Sequence, residues 1–451
     1  MHANSTKDMT TGRPLVLITR FMIPLLLGNL FQQTYNMIDA IIVGRMLGAD
    51  ALSSVGVSSS VQLLVLQFCI GSCVGFAIPV AQKFGAGDHK SMRSYIYHSV
   101  LLAAGMALAA TLFTTLFCHK IMGLLHTPAD IYDDAYRYLF IIFLGIPFSI
   151  LYNMLSSLLR AVGNSKVPFV FLAISTILNI FLDLFCIAVL KWGVAGAAIA
   201  TISSQALSGF ACLIYILKRM RILVPVKEER KFTANIAGKL LGVGLPMGIQ
   251  YSFVAIGIMI MQTYNNTLGS DYVAGFTAAT KIKQFLLCPY DAFGTALATF
   301  VSQNYGAGHI SRLKKGITDS LILSLVYGVI AGCVMIFLGR PLASLFLESA
   351  AAVILDAAAR YLGAMGYLFW ILAILNTSRF TTQALGYSGR AVFSGVTEMV
   401  TRGLVSMTFI PRYGYTAVCW TDQCAWITAT IYITAVCLLS LKKISQRAAS
   451  L

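Results

Sequence analysis

The chain has 451 residues, 58% of them hydrophobic and only 11% charged, whereas an ordinary soluble protein carries about 25% charged residues. That excludes a soluble enzyme, and roughly 260 apolar residues at about 20 per span could supply on the order of twelve transmembrane helices. In such a chain the net charge of +16 is first a topology signal and not a sign of nucleic-acid binding.

Residues 1–20 carry Lys7, Arg13 and Arg20 but lack the short apolar core and small-residue cleavage site of a signal peptide, so the first apolar helix is expected to be retained. Gly, Pro and charge then punctuate twelve predicted spans: 16–44, 51–79, 94–118, 135–158, 167–190, 194–217, 238–267, 273–300, 317–338, 358–386, 389–410 and 416–440. The runs are long and unbroken, which selects helices over a β-barrel. If the N-terminus is cytoplasmic, 23 of the 33 Lys and Arg, Arg379 and Arg390 among them, fall in inside segments and 7 in outside ones, leaving Lys281, Lys283 and Arg402 within spans. This bias predicts a multi-pass protein of the cytoplasmic membrane with both termini inside. Ten Cys are scattered without a CxxC motif; they read as packing residues and not as disulfides or metal ligands.

The longest polar stretch, Lys218 to Lys239, divides the chain near its midpoint, and the halves repeat at an offset of 221 to 223. Leu47-Gly48-Ala49-Asp50 returns as Leu268-Gly269-Ser270-Asp271, and Gln82-Lys83-Phe84-Gly85-Ala86-Gly87 as Gln303-Asn304-Tyr305-Gly306-Ala307-Gly308. Arg160 to Ser165 returns as Gln383 to Ser388, and Trp192-Gly193 as Tyr413-Gly414. Six helices per half, an even number, make the repeats parallel. The expected organisation is all-α: a cytoplasmic tail over 1–15, an N-terminal lobe over 16–217, a cytoplasmic loop over 218–237, a C-terminal lobe over 238–440 and a tail over 441–451. A binding site between parallel repeats is the mark of an alternating-access transporter; duplication without transport is the alternative.

These residues resemble the MATE (multidrug and toxic compound extrusion) family: Pro24 followed by Asp39, Gly44 and Leu47-Gly48; the paired Gln-x-x-Gly-Ala-Gly loops at Gln82 and Gln303; Arg160-Ala-x-Gly; and Asn179-x-x-x-Asp183 followed by Gly193 to Thr201. The likeness runs through essentially the whole chain. It implies two six-helix lobes forming a V, and export of small organic, often cationic molecules in exchange for H⁺ or Na⁺. The expectation is no cofactor beyond that ion, no nucleic-acid partner, and a monomer working within the lipid bilayer.

An ionisable group inside a span is costly and a functional candidate by default. By helix rise, Asp39, Asp183 and Thr201 all lie roughly 8–10 Å below the outer surface, and Asn179 stands one turn below Asp183 on the same face. Two carboxylates, an amide oxygen and a hydroxyl suit an alkali cation; with one carboxylate protonated the same set holds H⁺. The resemblance assigns a coupling site to these four positions. The alternative is that the acids cap hydrogen bonds between helices. The repeat offset places Ile260 opposite Asp39 and Leu404 to Ser406 opposite Asp183, so coupling is expected in the N-terminal lobe alone.

Glu398 and Arg402 stand four apart and form a candidate ion pair, structural, gating or substrate-binding. Lys281 and Asp291 are candidate cavity charges, and Asp422 is placed near the outer interface, as readily solvated as functional. Pro24 and Pro246 occupy equivalent repeat positions and are candidate hinges, since each frees a backbone carbonyl inside its helix. A cavity for varied lipophilic cations needs aromatic faces, Met and neutral acceptors: Gln32, Tyr35, Asn36, Met37, Asn153, Gln250, Met261 and Asn376 are candidate lining residues. Two other functions compete. A flippase of lipid-linked saccharides should concentrate bases in its cavity, and a membrane-embedded enzyme needs a metal motif or a nucleophile–His pair that the sequence does not display.

Overall fold

The computed structural model describes residues 6–124, 127–345 and 352–449, so parts of both predicted tails lie outside the described residues. Its helices are α1 (Pro14–Leu47), α2 (Ala49–Gly85), α3 (His89–Leu116), the short α4 (Cys118–Leu124), α5 (Tyr132–Leu144), α6 (Ile146–Ala161), α7 (Lys166–Leu184) and α8 (Gly193–Arg219). The second half follows with α9 (Ala234–Asn265), α10 (Ser270–Gly306), α11 (Ile310–Ser344), α12 (Ala352–Leu368), α13 (Ile371–Ala384), α14 (Ser388–Tyr413) and α15 (Tyr415–Ala449).

Among the described residues nine helices are individually long and apolar enough to span a membrane. The fourth and tenth predicted spans are each broken in two, α5 with α6 at 43° and α12 with α13 at 61°, so the kink itself is repeated. The remaining span, α14, holds Glu398 and Arg402 in its middle, which is why its composition is the least apolar. The fold is thus an all-α polytopic bundle of twelve spans in two repeats.

The turns carry the repeat in their backbone. Left-handed glycines recur in pairs at the same offset: Gly48 and Gly269 (φ 92° and 104°), Gly87 and Gly308 (70° and 75°), Gly163 and Gly386 (82° and 86°), Gly193 and Gly414 (59° and 57°). At Gly48 a single residue reverses the chain from α1 into α2, a φ that any side chain would oppose.

The chain packs as two compact units, one holding residues 6–8 and Leu27–Gly248, the other holding Met9–Leu26 and 249–449. This differs from lobes divided at the 218–237 loop, and the reason is apolar burial. Met9, Ile18, Phe21, Met22 and Leu25 are buried in one cluster with Ala296, Phe300 and Phe380, so the start of α1 belongs to the second unit. Val243 and Met247 bury against Ile78, so the start of α9 belongs to the first. In both helices the changeover falls two residues beyond the proline, Pro24 or Pro246.

The 218–237 segment is docked, not free. Arg93 donates two hydrogen bonds of 2.7 Å to the Glu229 carboxylate, and the backbone N–H of Thr233 donates to His98 Nε2 at 2.7 Å. The Arg93 guanidinium holds the Glu229 carboxyl below the usual carboxylate range. The charged pair therefore persists at neutral pH and weakens only as the pH falls through that lowered value.

Where α9 enters the first unit its backbone touches α2: a Cβ on Gly75 would stand 2.6 Å from the Gly244 Cα, and one on Gly244 would stand 2.3 Å from the Phe76 ring. Small residues permit this approach, as they do between membrane helices generally. Gly75→Leu or Gly244→Leu is expected to lower the melting temperature of the detergent-purified protein through an overpacking cost of about 1–3 kcal/mol. An unshifted melting curve would deny the contact.

Candidate functional site

The first unit brings together residues from α1, α5, α7 and α8. Asp183 and Asn179, one turn apart on α7, are buried at 0% and 1% exposure, while Asp39 on α1 is half-buried. The Asp39 and Asp183 carboxyls lie within hydrogen-bonding reach of each other. Both Asp183 oxygens, Asp39 Oδ1 and both polar atoms of Asn179 are buried without a protein donor or acceptor among the described residues. Two carboxylates facing each other without a donor repel, so the pair is stable only with a proton or a cation between them. The neighbouring amide of Asn179 adds a further hard oxygen. These residues fit a proton or an alkali cation.

Thr201 on α8 is held by Tyr35 of α1, hydroxyl to hydroxyl, at 3.1 Å. Tyr35 thus stands at the acid pair and not simply on a cavity wall. Tyr138 of α5, 4% exposed, is within electrostatic range of both acids; it was absent from the residues picked out by charge. Depth counted from the predicted span start at 135 misses it, at about 4–5 Å; α5 begins at Tyr132, which places Tyr138 about 9 Å along the helix, level with the others. Tyr138 belongs to an apolar cluster with Ile42, Val43, Ile142, Ile187, Val194 and Ala198, drawn from the same part of the unit as the buried Asp183. Directly after Asp183 the helix widens into a π turn over Phe185–Val189, a deviation that often accompanies functional positions. At the end of these helices a cavity of about 300 Å³ is lined by Asp134, Arg137, Lys191 and Trp192, and its wall residues Ala51 and Val194 belong to the same apolar cluster.

The second unit has no such acid pair at the equivalent place. It buries a chain of ion pairs. Lys283 of α10 donates to Asp422 Oδ2 of α15 at 2.5 Å, Tyr361 of α12 donates to the same oxygen at 2.6 Å, and Arg402 of α14 donates to Asp422 Oδ1 at 2.9 Å. Arg402 also meets Glu398 at 3.2 Å, and Glu398 is gripped by Arg379 of α13, which donates onward to Ser394 at 3.1 Å. Two expectations are corrected here. Asp422 is not solvated near an interface but fully buried, because two cations and a phenol satisfy its oxygens. Arg379, assigned by position to an inside loop, is buried at 9% exposure because Glu398 lies within its reach.

The predicted lining residues disperse. Gln32 and Asn36 are exposed and Met37 is half-buried. Asn153 donates to the Ser149 carbonyl of its own helix at 2.8 Å. Gln250 and Met261 stand in the packed interior, both at 0% exposure: Gln250 accepts from Gln383 at 2.8 Å, and Met261 lies in the core with Phe276 and Met335. Both are closed packing positions in this structure, in place of the open wall expected for them. Asn376 is half-buried beside a small cavity of about 10 Å³ with Tyr290, Ser320 and Ser324.

The MatE family profile matches residues 24–185 and 246–408. A probable multidrug resistance protein, YpnP of Bacillus subtilis (strain 168), is 34% identical over 306 residues, 68% of each chain. A second, YoeA of the same organism, is 27% identical over 334 residues, 72% of each. Among solved structures, one described as MATE in complex with MaL6 superposes with a TM-score of 0.90 at 19% identity, covering 97% of this chain and 99% of that one; at that identity the likeness speaks for the fold.

The buried ion-pair chain generates a stability prediction. Asp422→Ala would leave Lys283 and Arg402 buried without that counter-charge, a loss on the order of 3–5 kcal/mol. Thermal unfolding in detergent should show a drop of many degrees, and a melting temperature within one degree of the parent would contradict the pairing.

Proposed function

The chain belongs to the MatE family, and from that we propose that it is a secondary antiporter of a cell membrane, exporting small organic molecules in exchange for H⁺ or Na⁺. The observation that carries this reading is the Asp39–Asp183 contact with its unpartnered buried oxygens. A site that must hold one positive charge to be stable is a site whose loading can drive a conformational change. Asp39 and Asp183 share the ion, Asn179 and Thr201 supply neutral oxygens, and Tyr35 and Tyr138 fix the pair's surroundings. The surplus of Lys and Arg at one end of the spans supports both termini facing the cytoplasm.

Loading bears on α1, the helix that carries Asp39 in the first unit and passes to the second just beyond Pro24. Pro24 leaves the Arg20 carbonyl without its helical partner, and Pro246 does the same for Gly242, so bending costs least at these two points. The resident ion thus acts on α1 across a joint already weakened. The flippase alternative needs several bases free to meet a pyrophosphate; Lys283, Arg379 and Arg402 are each engaged by Asp422 or Glu398, which leaves Lys281 of α10 as a single exposed base beside them.

In proteoliposomes with separately imposed H⁺ and Na⁺ gradients, Asp39→Asn and Asp183→Asn are expected to abolish gradient-driven dye export while the protein remains inserted. Full export by either variant at parental abundance would remove the site from the mechanism. Pro24→Ala and Pro246→Ala each restore a helical hydrogen bond; they should slow export several-fold without lowering the melting temperature, whereas unchanged rates would deny the hinges a role.

A further inference from the structure

The exposed positions of α10 form a pattern unlike that of its neighbours. Every exposed residue of this helix is polar: Ser270 and Asp271 at its start, then Thr277, Lys281, Gln284 and Asp291. The spacings of four, three and seven put the last four on one face of the helix. On α11 of the same unit the mid-helix exposed positions are Ile322, Val326, Val329, Ile330, Cys333, Phe337 and Leu338, as a lipid-facing surface requires. The α10 face is therefore unsuited to lipid.

Charge pairing sharpens the contrast. The buried span charges of the second unit, Lys283, Arg379, Glu398, Arg402 and Asp422, are all ion-paired. Lys281 and Asp291 are exposed, and among the described residues neither forms an ion pair; the Arg379 guanidinium of the same unit is already held by Glu398. Lys281 lies about 16 Å along α10 from its start, too deep for its stem to carry the ammonium to an interface. An unpaired cation and an unpaired anion in a span cost several kcal/mol unless water or a solute meets them.

We propose that the Thr277–Lys281–Gln284–Asp291 face of α10 is a substrate track for zwitterions, with the Lys281 ammonium donating to a carboxylate and the Asp291 carboxylate accepting from a protonated amine. The two charges sit about 15 Å apart along the axis, and Gln284 lies between them with an amide that can both donate and accept. A face of zero net charge selects against a dianion and favours a molecule bearing both signs over one bearing either alone. This inference rests on the export reading and gives it a substrate class.

The test uses the full-length protein in proteoliposomes, with norfloxacin as the zwitterion and ethidium as the monocation, alongside melting curves of the detergent-purified protein with each probe. Lys281→Gln is expected to lower the norfloxacin-to-ethidium export ratio about ten-fold and to abolish the melting shift that norfloxacin gives the parent, with Lys281→Arg restoring both. Asp291→Asn should reduce export of both probes. If Lys281→Gln exports norfloxacin at the parental ratio and is stabilised by it as the parent is, the inference is overturned. Ethidium export that depends on Asp39 but shows no Lys281 effect on norfloxacin overturns the inference and leaves antiport standing. If neither probe is exported, antiport falls, and the melting shifts decide the track on their own.

Discussion

Two carboxyl groups in contact inside an apolar collar cannot both stay charged and unpartnered. Asp39 and Asp183 are in that position, and much of the first unit reads as the means of keeping them there. Tyr138 and the Ile42–Val43–Ile187 cluster supply apolar packing beside the site, Tyr35 ties α1 to α8 through Thr201, and a π turn interrupts the regular helix after Asp183. The repulsion is a stored preference: the arrangement of α1 against α7 depends on what stands between the acids. Because α1 changes units just past Pro24, that local preference bears on a helix whose other end is packed elsewhere.

The second unit solves the same problem in the opposite way. Both halves carry the same kinked span and the same left-handed glycines, yet the second half places Ile260 opposite Asp39 and alternates bases with acids through α10, α13, α14 and α15. Such a chain of ion pairs fixes helix positions. Against this background the unpaired charges of α10 stand apart as the polar face of an otherwise neutralised unit.

The fold was legible because its signals are one-dimensional: apolar length gives spans, and the repeat offset survives in the turn glycines. The acids of the first unit were legible for a related reason, since depth along a helix can be counted. Tyr138 shares that depth and carries no charge, so only the folded packing singles it out. Side-chain direction across helices is not written in spacing. Lys281 and Lys283 look alike in sequence, yet the first is exposed and the second is buried against Asp422. Asp422 and Arg379 were misplaced because nominal span ends say nothing of a partner that draws a charge inward. Gln250 and Met261 have the chemistry of a drug-binding wall, and packing against Gln383 and Phe276 uses it up. The lobes were cut at the polar loop, whereas the starts of α1 and α9 follow their apolar faces into the other unit.

The most direct measurement is ion binding by the purified protein in the absence of substrate, followed as protons taken up from a weakly buffered solution and as ²²Na⁺ retained at equilibrium. The account predicts one ion, H⁺ or Na⁺, bound per chain by the parent and lost in both Asp39→Asn and Asp183→Asn, with Asp291→Asn retaining it. Undiminished binding in the two acid variants would contradict it.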